Sequence, residues 1–338
     1  DITLQPNGQE NDSTTFTITM SVTNKNNSVT ADFDYELNLF DQYYVEPYDY
    51  FTFKENGDGT VELTAFDKEK APSTDIVIPA TVSQNASGQW TEGDTYTVTD
   101  IFSATLYRNG VFYNSGITSI ELPATLETIG DHAFSSCSGL TEVDLSNCTS
   151  LTSIGDNAFY GCSGLTSITL PSSLTSIGSS AFGVCSGFKG VLNLTNCTSL
   201  TSIGDYAFEG CSGLTSITLP SSLTSIGSFA FSGCSGLTGE LDFSNCTSLI
   251  SIGSYAFNSC SGLTELDFSN CTSLISIGSY AFNSCSNLER IVFPNTTGWY
   301  RTRSSTDTSG TNMTMSNPKQ NATWLTGDYR DYYFKRNA

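Results

Sequence analysis

Residues 165–187 read LTSITLPSSLTSIGSSAFGVCSG, and close variants of this unit recur along much of the chain. The most constant part is Ile-Gly, then two further residues, then Ala-Phe, and it recurs at steps of 23 to 26 residues. Its seven copies begin at Ile129, Ile154, Ile177, Ile203, Ile226, Ile252 and Ile277. Such a period predicts a solenoid, because a stack of units buries an apolar face that one unit cannot bury alone.

Each position of the unit favours a particular local structure. Leu165, Ile168 and Leu170 predict a short strand that buries one face. Pro171 ends this strand, since proline cannot donate to the ladder. Gly178 supplies a permissive backbone at the next corner. The Asp or Ser that follows is an N-cap residue type, and a Gly or Asn stands after the cysteine, so a short capped helix is expected between them. The sequence predicts an α/β solenoid of strand, turn and short capped helix.

The complete unit, L-x-x-I-x-L-P-x-x-L-x-x-I-G-x-x-A-F-x-x-C, resembles the BspA-like leucine-rich repeat. The resemblance covers residues 117–293, which hold seven full units and a final strand, LERIVFP. It implies a leucine-rich-repeat solenoid in a bacterial protein that is secreted or held at the cell surface. It also implies adhesion or protein–protein binding, and no active site.

Three further segments flank the repeats. In residues 1–49, the alternating stretches 15–22 and 32–40, joined by the polar turn NKNNS, predict a β-rich extension that covers the N-terminal end of the solenoid. Residues 50–116 are interpreted as a degenerate cap repeat with an insert, which begins with a hairpin turning at Asn-Gly-Asp-Gly. Residues 294–338 are basic and rich in aromatics, and they predict a β-rich C-terminal cap because terminal repeats need a polar outer face.

The charge of the chain is large and uneven. The formal net charge is −21 over 338 residues. Residues 117–289 carry thirteen acidic residues against Lys189, a net of −12, whereas residues 290–338 carry a net of +4. This acidity argues against nucleic-acid binding, which requires cationic surface to release phosphate counterions, and against anionic lipid. The acidic body and the basic, aromatic tail make head-to-tail self-assembly into a structural surface protein an alternative function.

The location of the protein is predicted from what its sequence lacks. The chain begins at Asp1 without a signal peptide and has no apolar run long enough to span a membrane. We therefore expect a mature extracellular or cell-surface protein.

The eleven cysteines are predicted to be free, buried thiols. Equivalent residues of stacked repeats point the same way about 5 Å apart, whereas bridged cysteines need Cβ atoms about 3.8 Å apart and angled together. The sequence contains no Cys-x-x-Cys pair, which would indicate a zinc site. The single histidine, His132, falls at a variable position of the repeat without a partner for nucleophilic catalysis, and no carboxylate pair has a context typical of glycoside hydrolysis. We expect no catalytic residue, metal or cofactor, and hence no enzyme.

Acidic residues gather at the outward positions of neighbouring predicted strands. This acidic face comprises Glu121, Glu142, Asp144, Glu240, Asp242, Glu265 and Asp267. Stacking brings the seven residues into one sheet face, interrupted by the neutral third, fourth and fifth repeats. The functional interpretation is binding of a basic protein partner on a host or neighbouring cell, or of a cation. The alternative is a solvated face that keeps the protein soluble.

Four consecutive repeats also carry an aromatic residue directly before Ala-Phe. This aromatic row consists of Tyr206, Phe229, Tyr255 and Tyr280. The position is expected to point away from the core, where exposed aromatics serve as anchors for a protein or as a platform for carbohydrate. The alternative is mutual packing that stiffens one edge of the solenoid.

Overall fold

The computed structural model describes residues 49–85, 88–102 and 110–336, together with three N-terminal strands. The chain forms two compact units, Asp1–Pro47 and Tyr48–Ala338. The first unit has three strands, β1 (Ile2–Pro6), β2 (Thr15–Thr23) and β3 (Thr30–Asn38). Strand β2 pairs antiparallel with both β1 and β3. Both strands predicted here are confirmed as β2 and β3. The polar turn predicted at 24–28 lies outside the described residues.

The second unit begins with the predicted hairpin, in which β4 (Phe51–Glu55) pairs antiparallel with β5 (Thr60–Phe66). The Asp58 carboxylate accepts hydrogen bonds from the backbone and hydroxyl of Thr60, which fixes the turn. Four further strands follow in this segment: β6 (Asp75–Val77), β7 (Thr81–Gln84), β8 (Trp90–Glu92) and β9 (Tyr96–Ile101). Because β9 pairs in parallel with β5 on one side and with the first repeat on the other, it joins the hairpin to the solenoid.

Each repeat then contributes two strands, a longer one from its Leu-x-x-Ile-x-Leu part and a two-residue one that ends at the constant isoleucine. In chain order these strands are β10 (Ser119–Glu121), β11 (Thr128–Ile129), β12 (Glu142–Asp144), β13 (Ser153–Ile154), β14 (Ser167–Thr169), β15 (Ser176–Ile177), β16 (Gly190–Asn193), β17 (Ser202–Ile203), β18 (Leu214–Thr218), β19 (Ser225–Ile226), β20 (Thr238–Asp242), β21 (Ser251–Ile252), β22 (Gly262–Asp267), β23 (Ser276–Ile277) and β24 (Arg290–Val292).

The two kinds of strand form different sheets. The two-residue strands β11, β13, β15, β17, β19, β21 and β23 pair in parallel as an unbroken ladder within a 15-stranded sheet, and β9 pairs with the first of them. The longer strands pair in separate groups, β6 with β10, β12 with β14, β16 with β18, and β20 with β22 and β24. Their outward side is called the strand face below. The predicted strands of the repeat are thereby confirmed.

The capped helix expected in each repeat is not formed, and a hydrogen-bonded turn takes its place. The residue before Ala-Phe has a left-handed φ between 52° and 59° in all seven repeats, which an α-helix cannot include. Successive backbone amides donate alternately within the turn and to the next repeat. Ala133 N–H donates to Gly130 O within the turn at 3.3 Å, whereas Phe134 N–H donates to Ala158 O of the next repeat at 2.7 Å. The turn therefore satisfies its amides partly through the neighbouring repeat.

The residues expected to cap the helix instead bind the next repeat. The Asp131 carboxylate accepts from the Asp156 amide at 2.8 Å, and the Asp156 carboxylate accepts from the Ser179 amide at 2.6 Å. In the same way, the Asp205 carboxylate accepts from the Ser228 amide at 2.6 Å. These aspartates are side-chain caps, as their residue type indicated, but they join consecutive repeats.

Two columns of side chains fill the core. The phenylalanine of each Ala-Phe pair stacks on the next, with ring centroids 4.9 to 5.6 Å apart and ring planes within 14° of parallel. Beside it runs a column of seven cysteines, whose thiols donate to the phenylalanine carbonyl of the preceding repeat at 2.9 to 3.2 Å. All eleven cysteines are buried and free, as predicted.

The C-terminal segment packs on the last repeat. Its elements are β25 (Trp299–Thr302), β26 (Thr311–Met313), α1 (Pro318–Thr323), a π-helical turn (Trp324–Asp328) and β27 (Tyr333–Arg336). Strand β27 pairs antiparallel with β23, and Asn321 of α1 donates its side-chain amide to Ile291 O of β24 at 2.9 Å. Both kinds of repeat strand are therefore covered at this end.

Close approach between repeats makes the glycine after each constant isoleucine necessary. A Cβ atom at Gly204 would lie 2.7 Å from the Gly178 carbonyl carbon and 2.8 Å from the oxygens of Gly178 and Ile177. These are backbone atoms and cannot rotate away. Gly204→Ala is expected to lower the free energy of unfolding in urea by about 1–3 kcal/mol or more through overpacking. Gly327→Ala is the control, because a Cβ there meets nothing within 4 Å. Equal midpoints for the two variants would contradict the close packing.

The thiols are expected to be unreactive in the folded protein. Burial raises the pKa of Cys148 and Cys197 to about 11, and the pKa of Cys246 and Cys271 to about 12. Since the thiolate is the reactive form, a raised pKa keeps these groups protonated and inert at pH 8. Iodoacetamide should leave the native protein unmodified by mass spectrometry and alkylate all eleven cysteines in guanidinium. N-Acetylcysteine in the same tube controls for reagent activity, and native labelling at its rate would disprove the prediction.

Candidate binding surfaces

The strand face carries the predicted acidic residues in two separate clusters. Glu240 and Asp242 of β20 lie directly opposite Glu265 and Asp267 of β22. The other cluster comprises Glu142 and Asp144 of β12 and Glu121 of β10. Strands β14, β16 and β18 carry no acidic residue and separate the clusters by roughly 20 Å at a strand spacing of about 4.8 Å. The face is thus acidic at two places with a neutral stretch between them.

The aspartates of the strand face also form turns, a role that was not predicted from the sequence. Asp144, Asp242 and Asp267 each accept a hydrogen bond from the amide two residues later, at 2.6 to 2.9 Å. Asn193 makes the same bond to the Thr195 amide at 3.0 Å in the equivalent position of β16. These are Asx turns that end the strand. The signal in the sequence was that Asn193 replaces Asp at this repeat position, since both residue types form Asx turns.

The glutamates of the face are therefore its freer carboxylates. Glu121, Glu142 and Glu240 are exposed, whereas Glu265 is half-buried and forms an ion pair with Arg290 of β24. Between the clusters, Val191 of β16 is 58% exposed. The strand face therefore offers exposed carboxylates on either side of an apolar side chain, all on paired strands.

The aromatic row is a continuous stack. Tyr206 and Phe229 have ring centroids 4.7 Å apart, Phe229 and Tyr255 4.6 Å, and Tyr255 and Tyr280 4.7 Å, with planes within 11° of parallel. The two central rings, Phe229 and Tyr255, thus have a ring on each face, which leaves only their edges for a ligand. Tyr206 is the most open member, with 37% of its surface exposed. The structural interpretation, mutual packing, accounts for the centre of the row.

His132 occupies the same turn position in the first repeat and has a left-handed φ of 58°. The surface cavities of the described residues include one of about 520 Å³ and one of about 460 Å³. The smaller is lined by Ser225, Ser251 and Ser276 of the ladder together with Lys335, whose ammonium donates to backbone oxygens of Ser305 and Asp307. His132 lines neither cavity.

The part of the chain that the structure describes contains no group of three or more His, Cys, Asp or Glu side chains placed to hold a metal ion. Within that same part, no helix is long and apolar enough to cross a bilayer.

Comparison with known structures returns other leucine-rich repeat proteins. A leucine-rich cell surface protein of Faecalibacterium prausnitzii A2-165 is 27% identical over 73% of this chain and 75% of its own, with a TM-score of 0.49. A leucine-rich repeat protein of T. pallidum is 22% identical over 71% and 88%, also with a TM-score of 0.49. One from Bacteroides ovatus is 25% identical over 73% and 70%, with a TM-score of 0.38. No curated protein matches the chain.

Family assignment rests on the repeats themselves. The model of the BspA type leucine-rich repeat region matches residues 105–201 and 188–303 in six copies, which together span more than half of the chain. The resemblance that the repeat unit indicated is therefore confirmed, and the chain belongs to the BspA type leucine-rich repeat family.

Proposed function

We propose that this chain is a non-enzymatic, secreted or cell-surface repeat protein that mediates adhesion by binding a basic protein partner through its strand face. The observation that carries the proposal is the pair of acidic clusters held on paired strands around exposed Val191. An apolar centre with polar surroundings is the usual arrangement of a protein-binding surface. The extracellular location and the absence of catalysis belong to the same proposal and rest on family membership.

The charges of the repeats favour a cationic partner. Lys189 is the one basic residue among positions 117–289, so the acidic residues of the strand face other than Glu265, which pairs with Arg290 of β24, have little compensating charge in the repeats. Such carboxylates speed the encounter with an oppositely charged protein and discriminate against acidic ones.

The strand face is also rigid, which lowers the entropic cost of binding. Its side chains stand on paired strands, whose inward residues such as Val143 and Leu241 are buried in the core. A face that is already ordered loses little conformational freedom when a partner binds. The separation of the two clusters is set by the continuous ladder of two-residue strands, because the longer strands pair in separate groups.

Charge reversal of the free glutamates tests the proposal. The double variant Glu142→Lys/Glu240→Lys should reduce binding to an immobilised panel of extracellular matrix proteins at least about tenfold, since opposed charges in an interface are repulsive. Binding of the native protein should also weaken as salt rises. Surface plasmon resonance measures both effects.

Glu69→Lys/Glu127→Lys is the matched control, because it changes the net charge equally at exposed positions outside the strand face. The aspartates stay unchanged because their Asx turns support the fold. If both double variants bind the panel equally well, the strand face is not the binding surface.

Head-to-tail self-assembly is the second candidate function, favoured by the charge of −12 on residues 117–289 against +4 on residues 290–338. A basic C-terminal segment that binds the acidic repeats of the next molecule is a heterologous contact, which can repeat along a fibre. Light scattering at low salt should then show a mass above 36.3 kDa that rises with concentration and falls as salt is added. A monomeric mass at all concentrations would refute self-assembly without affecting the binding proposal.

A further inference from the structure

The aromatic row is closed at one end and open at the other. At its C-terminal end, the backbone N–H of Tyr280 donates to the carbonyl of Arg330, so the C-terminal segment packs against the last turn of the row. At its N-terminal end, Tyr206 stacks on Phe229 through one ring face only. The preceding repeat has Ser180 in the equivalent position, whose side chain is too short to cover a ring.

The backbone around Ser180 keeps the geometry that holds an aromatic ring elsewhere in the row. Ser180 has a φ of 52° against 59° for Tyr206, and its amide donates to Asp205 O in the next repeat at 2.7 Å. The repeat spacing is therefore maintained while the ring is missing. One repeat further, Asn157 also lacks a ring. The space above Ser180, next to the free face of Tyr206, is called the slot below.

A carboxylate borders this slot. The Asp156 side chain accepts a hydrogen bond from the Ser179 amide through one oxygen at 2.6 Å, which places it beside the residues that form the floor. Asp156 is an exposed residue, and the bond to Ser179 uses its Oδ1 atom. By contrast, the Asp205 carboxylate binds the Ser228 amide and thus lies on the other side of Tyr206. The open slot combines an aromatic face with a negative charge.

The chain itself shows which group fits such a combination. In the C-terminal segment, the Arg303 guanidinium lies 4.5 Å from the ring centroid of Tyr332 and pairs with Asp331 at 3.1 Å. The Arg301 guanidinium lies 3.6 Å above the Tyr329 ring. A guanidinium is planar, so it stacks on a ring as the missing aromatic side chain would, and its charge complements the aspartate.

We propose that Tyr206 and Asp156 form a binding site for an arginine side chain of a partner protein. The guanidinium stacks on the free face of Tyr206, in the plane that an aromatic ring occupies in later repeats, and donates to the second oxygen of Asp156. A lysine ammonium is not planar and fills the slot less well. The site uses none of the residues of the strand face, so it goes beyond the function proposed above.

Two matched peptides test the site, a fluorescein-labelled Gly-Ser-Arg-Ser-Arg-Gly peptide and its lysine counterpart, with binding followed by fluorescence anisotropy. The native protein should bind the arginine peptide about three- to fivefold more tightly, as expected for stacking at an exposed site. Tyr206→Leu and Asp156→Asn should each abolish this preference. Asn retains an oxygen for the Ser179 amide, so the second variant keeps the turn.

Two controls carry the same substitutions elsewhere. Tyr113→Leu removes a tyrosine of similar exposure, 41%, that precedes the first repeat, and Asp205→Asn changes the equivalent aspartate that binds the Ser228 amide. Both should keep the arginine preference, as should the strand-face variant Glu142→Lys/Glu240→Lys. Equal binding of the two peptides to the native protein, or a preference that survives both Tyr206→Leu and Asp156→Asn, would overturn the proposal. So would equal binding of a phenylalanine counterpart, which would indicate a site for neutral rings.

Discussion

The spacing between consecutive repeats is the constraint on which the rest of the structure depends. Three sets of contacts require the same spacing: the parallel ladder of two-residue strands, the stack of core phenylalanines, and the amides that each turn donates to the next. A glycine at every corner lets the backbones approach this closely. Because each repeat is held by its neighbours more than by itself, the fold is a chain of interfaces, and its stability is approximately a sum over them.

Much of this architecture could be predicted from the sequence because it repeats. Seven copies of one pattern identify the solenoid, its strands and the buried side of each unit, and equivalent cysteines in stacked units exclude bridges by geometry alone. The Asp or Ser two residues before Ala-Phe could not show that a turn forms here and not a helix, since that residue type caps both. Gly161, Gly210 and Gly233, all with positive φ, were a signal against a helix interior.

The candidate surfaces were less predictable because one residue type serves two purposes in a repeat. Asp144, Asp242 and Asp267 look like members of an acidic patch, yet their carboxylates end strands in Asx turns. The aromatic row likewise looks exposed in the sequence, although its central rings cover one another. The aspartates are engaged within their own unit, by the amide two residues later, whereas the rings contact the neighbouring repeats. A single unit therefore contains no information on whether an aromatic side chain is already covered by its neighbour.

The number of neutral repeats sets the distance between the two acidic clusters. Units of 23 and 26 residues enter the same ladder in the same register, so the loss or gain of a neutral unit would leave the neighbouring turns intact. Each such change would move the two clusters by one strand spacing of about 4.8 Å. The basic partner proposed above would then have to span a different distance, although no residue of either cluster had changed.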